Sequence, residues 1–265
     1  MIKRVLLIVI CLIIPVFSGC GTKRIASEDV LLKSQSQLKH DEALKARVAQ
    51  APLTLEALLD SRLFQKIKTL RSEVKATVKK DGKKIGTYKG ALAFRAPDSM
   101  RLQLFNPFGA TSADIVRVVG MINVYVPGQR TVYTGWAPQF ALPLDAMYSM
   151  ELGNESHILY IFSPRGQELK LVAKYTYDPE TLRNTSISAY HKNQYSMSMH
   201  FGRWEGDSPR QIIFHYRDLL IDMELIQPEE NVELSRSLFH PFEKEGRNVR
   251  PLQDLISTED DAYKR

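Results

Sequence analysis

The chain has 265 residues, 44% of them hydrophobic and 25% charged, with 2 cysteines and a formal net charge of +6. Such a composition supports one domain of ordinary size. So mild a charge is weak ground for nucleic-acid binding, and two cysteines exclude a disulfide framework.

In chain order, residues 1–4 form a short basic head and residues 5–17 an apolar run. The run has the length of a secretory core and is too short to span a bilayer as a helix. It ends in "FSGC", where small Ser18 and Gly19 precede Cys20. This stretch resembles the bacterial lipobox, in which cleavage before the cysteine exposes it for acylation with chains such as palmitate. The other reading of Cys20 is a free thiol after an ordinary cleavage site. Cleavage would remove residues 1–19 together with Cys11, leaving Cys20 as a lone thiol in an exported chain; lipidation accounts for it. Three acyl chains, at about 0.8 kcal/mol per buried methylene, would anchor the protein firmly. Gly21, rather than Asp, follows the cysteine. By resemblance to the sorting rule of enteric bacteria, this implies an outer-membrane lipoprotein facing the periplasm.

Residues 20–52 are polar and read as a tether, with helical character near 41–50. Thr54 then N-caps a stripe of Leu55, Leu59, Leu63 and Ile67 at intervals of four, predicting one amphipathic helix that covers a sheet. From Arg71 the period becomes two. Val74, Ala76 and Val78 alternate with Lys75, Thr77 and Lys79, and Asp81-Gly82 is a strong hairpin signal. Strands follow near 84–95, 100–105, 112–119, 121–126 and 130–135. Residues 136–165 break the pattern with prolines and bulky apolar groups, and predict a lid with a short helix at 144–151. Five more strands run from 168 to 226, and residues 241–265 read as a loose, flexible tail. The expected fold is mainly β with helices (α+β): about eleven antiparallel strands, one helix and a helical or loop lid, in a single domain over 53–240.

Signatures of catalysis are missing from the sequence. The six histidines show no HExxH or paired ligand spacing, so no metal is expected. GxSxG, P-loop and GxGxxG motifs are lacking, and no cofactor is implied. Asp222 and Glu224 lie two apart on one strand face, where solvated alternation explains them better than a shared acid-base site. The expectation is a protein that is not an enzyme.

The turn "FNPFGAT" at 105–111 poses a question. Asn106, Pro107 and Gly109 are ordinary turn residues, whereas Phe108 is a bare phenyl ring at the tip. The ring either folds back to cap the core or protrudes into its surroundings.

This turn, with Arg101 and Leu102 leading into it, resembles the LolA/LolB lipoprotein-sorting family and is closer to its LolB branch. The order of helix, hairpin, turn, insert and five strands resembles that family over about residues 53–227. The resemblance implies an open antiparallel half-barrel with an apolar hollow for acyl chains. It also implies a Phe108 that engages the membrane. Inward candidates for the hollow are Leu102, Leu104, Ile115, Ile122 and Val124, with Trp136, Met147 and Tyr148 from the lid. The cargo would be lipoprotein acyl chains or lipid, received from a LolA-like periplasmic carrier by a monomer. The rival reading is an envelope scaffold or sensor lipoprotein that docks a periplasmic protein.

Overall fold

The computed structural model describes residues 28–136, 143–165, 168–191, 194–240, 242 and 246–256. It divides into two units, Met1–Lys39 and His40–Arg265. What is described of the first is the opening of a long helix, α1 (Glu28–Gln50). The second holds the remainder of α1, two short helices α2 (Leu55–Asp60) and α3 (Leu63–Lys66), and a sheet of 14 strands.

The first run of strands is β1 (Thr69–Lys80), β2 (Lys83–Arg95), β3 (Ser99–Phe105), β4 (Thr111–Val118), β5 (Met121–Val126) and β6 (Thr131–Trp136). The second is β7 (Met147–Leu152), β8 (His157–Arg165), β9 (Glu168–Tyr177) and β10 (Asn184–His191), then β11 (Gln194–Glu205), β12 (Ser208–Tyr216) and β13 (Leu219–Glu230). Neighbours within each run pair antiparallel, and β1 pairs with β13 to join the two runs. A last strand, β14 (Asn248–Pro251), adds to β6 in parallel. The edges are therefore β14 and β7, and the sheet is open.

Period-two patterning builds these strands. On β1, Leu70, Ser72, Val74 and Ala76 are buried, while Arg71, Glu73 and Lys75 face water. Asp81 and Gly82 both take positive φ, 51° and 73°, as a two-residue hairpin requires. The sheet curls. Side chains from β2, β3 and β5 meet those of β11, β12 and β13 in one apolar cluster. Phe64 of α3 spans the interior, its ring centroid 4.6 Å from Phe94 on β2 and 6.4 Å from Phe201 on β11.

After β13 the chain crosses the outer face. Leu234 and Phe239 pack with Ala93 there, while Leu92 beside it points into the main core. Arg95 donates to the Leu234 carbonyl, and Arg101 Nη1 donates to Leu238 O at 3.1 Å. The chain then lies along the β6 edge as β14, and the last described element is a short helix, α4 (Leu252–Ile256). Leu252 is buried against Gly135 of β6, where a Cβ would stand 2.6 Å from the Leu252 Cβ. Only glycine permits that approach.

Four expectations change. The described residues hold 14 strands, because the insert and the tail each contribute strands. The helix expected at 144–151 is instead β7, in a hairpin with β8, whose Ile158 to Phe162 run pairs with the open edge of β9. Pairing overrode a weak helical reading there. The single amphipathic helix is broken at Ser61 and Arg62 into α2 and α3, which lets Leu63 and Phe64 reach the sheet interior. Within the stretch read as a loose tail, 248–256 is strand and helix held by β6 and the core. Residues 137–142 of the insert and 257–265 of the tail lie outside the described residues.

Candidate functional site

Apolar side chains from both halves of the sheet enclose a cavity of about 140 Å³. Met100, Leu102, Ile115, Ile122 and Val124 form one wall, and Phe201, Ile212, Phe214, Ile221 and Met223 form the other. Leu63, Phe64 and Ile67 of the α3 region close one side, while Leu252 and Leu255 of α4 enter from the chain's far end. Apart from Asp98 and Arg117, every described lining residue is apolar or aromatic.

Those two charges form a buried ion pair at one end of the cavity. Asp98 Oδ2 also accepts the Gly120 N–H at 2.9 Å, so the carboxylate is held at both oxygens. Burial pushes the Arg117 guanidinium down to about 10, and Asp98 opposes that shift. The guanidinium is therefore charged at neutral pH and tied to its carboxylate, which leaves the remaining wall greasy. At the other end lie Tyr216 and Leu219, on either side of the turn at Arg217 and Asp218.

Of the expected cavity residues, Leu102, Ile115, Ile122 and Val124 line the space. Leu104 is buried in the same cluster beside Gly90 but does not line it. Trp136 and Met147 are about half exposed, at 49% and 50%, and Tyr148 packs on the rim of the core. Among the described residues, none from the expected lid lines the cavity. Closure falls to α3 and α4 instead. The stripe at Leu63 and Ile67 pointed to a covering helix, whereas nothing in the polar setting of Leu252 and Leu255 marked them as plugs.

Phe108 stands 79% exposed at the tip of the β3–β4 turn. Asn106 builds that turn: its Oδ1 accepts the Phe108 N–H at 2.9 Å and the Ala110 N–H at 3.0 Å. Its own N–H donates to Ala110 O at 2.8 Å, and Gly109 takes φ +82°. The ring does not cap the core. Cys20 lies outside the described residues.

Other candidate chemistry is accounted for locally. Asp222 accepts from Gln211 Nε2 at 2.7 Å, and Glu224 pairs with Arg203 at 3.4 Å. Among the described residues no cluster of His, Cys, Asp and Glu is placed to hold a metal. No described helix is long and apolar enough to cross a membrane.

The arrangement is that of an open, curled sheet, antiparallel except at β14, around an apolar cavity. No protein-family model matches the sequence, and no curated protein is similar to it. Among solved structures it is similar to a LolA superfamily protein from Nitrosomonas europaea, at 10% identity and a TM-score of 0.48, over 72% of this chain and 99% of that one. A DUF1329 family protein from Desulfovibrio piger is similar at 14% identity and a TM-score of 0.44, over 77% and 97%. An outer membrane lipoprotein-sorting protein domain, so assigned, from Vibrio parahaemolyticus is similar at 10% identity and 0.43, over 78% and 97%.

Proposed function

We propose that this protein is an envelope lipoprotein that accepts an acyl chain of a lipoprotein or lipid and assists its insertion into the outer membrane. Cys20 carries the anchor, and the folded domain faces the periplasm. A LolA-like periplasmic carrier hands over the cargo, and the protein works as a monomer without catalysis or cofactor. The observation that carries this reading is the cavity, apolar on nearly every side and closed by two short helices.

The free volume sets a condition on it. About 140 Å³ matches a benzene-sized cavity of roughly 150 Å³ and falls below the 300–1,000 Å³ or so of a drug-sized site. A long acyl chain therefore enters only if α3 or α4 moves aside. The same small volume favours the second reading, a filled interior under a scaffold that docks a periplasmic protein.

Native mass spectrometry of the full chain carrying Cys20→Ala separates the two. The carrier should retain lipid or detergent of defined mass, released by Val124→Glu in a variant that still folds. Protein that is free of ligand and binds no fluorescent fatty acid would leave the scaffold reading in place.

A further inference from the structure

Because the sheet is a meander, its turns fall on two opposite rims. One rim holds the Phe108 turn, the β1–β2 and β12–β13 turns and the β5–β6 connection. These carry Lys79, Lys80, Lys83, Lys84, Arg130 and Arg217 against Asp81 and Asp218. Among the described residues, none of the six cations is in an ion pair. Lys83, Lys84, Arg130 and Arg217 are exposed. The Asp81 N–H donates to Asp218 O at 3.0 Å and fastens the β1–β2 and β12–β13 tips together.

The opposite rim is mixed, with Lys66, Lys68, Arg71 and Arg95 near its acids. It carries Glu155, Asp178, Glu180, Asp207, Glu229 and Glu230. Asp207 meets His40 and Lys66, Glu180 pairs with Lys45 and Glu229 pairs with Arg71, so half of these acids are matched by cations. The four lysines of the β1–β2 hairpin thus share a rim with the exposed phenyl ring. Tyr216 and Leu219 bring one end of the cavity to the same place.

We propose that the basic rim is a docking face for anionic phospholipid headgroups. Unpaired lysines at exposed turns attract an anionic surface over a Debye length, and the attraction is screened by salt. Phe108 adds a short apolar contact at the headgroup boundary, where an aromatic ring is at home. Lys89 pairs with Phe105, so the β1–β2 hairpin reaches beyond the β3–β4 turn and the rim slants, as tilted strands of a curled sheet require. The purpose of docking rests on the carrier reading, whereas the docking itself does not.

The test is partition of the full chain with Cys20→Ala onto two kinds of vesicle, phosphatidylcholine alone and three parts phosphatidylcholine to one part phosphatidylglycerol. Binding to the anionic vesicles should be at least tenfold stronger and should fall as sodium chloride is raised from 50 to 500 mM. Lys79→Gln, Lys80→Gln, Lys83→Gln and Lys84→Gln together should remove most of that selectivity with an unchanged thermal melt. The N-terminal basic residues are the same in both proteins and cancel. Equal partition of the parent protein onto both vesicles, or undiminished selectivity in the quadruple variant, would overturn the docking face. A fluorescent fatty acid measured on the same samples keeps the two ideas apart. Probe binding without lipid selectivity removes only the docking face, and selectivity without probe binding removes only the carrier.

Discussion

Phe108 leaves most of a phenyl ring in water, forgoing the roughly 1.5–3 kcal/mol that burial would supply. Asn106 and Gly109 hold the turn in shape, so little conformational entropy is lost when the ring enters an apolar phase. Phe108→Glu should therefore shift the melting temperature very little while weakening vesicle binding and cargo transfer. A melt lowered by several degrees would make the ring a structural residue. Tyr175 behaves in the opposite way. Burial raises its phenol to about 12, against the opposing pull of Arg62, and burial raises Tyr177 as well. A buried neutral phenol favours the fold until the unfolded chain begins to ionise near pH 10. Stability from Tyr175 is thus complete below that pH and is lost as pH rises through about 12. Two pH units correspond to about 3 kcal/mol. Urea melts at pH 9 and pH 11.5 should differ by an amount of that order, and Tyr175→Phe should shrink the difference.

Helix α4 shows how an element can be absent from a pattern and still matter. Residues 241–265 are charged and poor in large apolar groups, so their composition resembles a tail. Leu252 nevertheless finds a seat because Gly135 has no side chain, a fit between residues more than a hundred positions apart. The hairpins were legible because their signals are local: Asp81-Gly82, and alternation on β1 through β5. The β7–β8 hairpin was not, since its Pro-rich approach hid a pairing that depends on the edge of β9. Gly135→Val would place atoms where Leu252 lies and should push α4 off the cavity. Overpacking of this kind costs about 1–3 kcal/mol. The same variant should bind a fluorescent fatty acid more tightly, because the plug is partly withdrawn. Loss of stability with weaker probe binding would mean that α4 forms part of the binding wall.

Across the whole molecule, four of the five strand residues expected in the hollow line it, because inward alternation on β3 to β5 is readable residue by residue. The opposite wall on β11 to β13 was legible as strands but not as a site, since only the curl of the sheet brings it across. Nor does sequence alone place the lysines of 79–84 on the rim that holds Phe108, which needs the order of the strands. A sheet open at both edges and closed by two short helices has little to resist local opening. That links cargo to stability in a measurable way. If the cavity is a binding site, a ligand at a hundred times its Kd stabilises the fold by about 2.7 kcal/mol. For a domain of this size, that corresponds to a rise in Tm of about 5–10 °C. Titrating a long-chain fatty acid into the full chain with Cys20→Ala should give this concentration-dependent rise, and the gain should be larger for Leu252→Ala, whose plug is shortened. Leu252→Ala alone should lower stability by about 2–5 kcal/mol, the usual cost of an emptied leucine site. Saturating fatty acid should recover part of that loss by filling the space. A melt that does not respond to fatty acid in either protein would identify the interior as a filled core and the sheet as a scaffold.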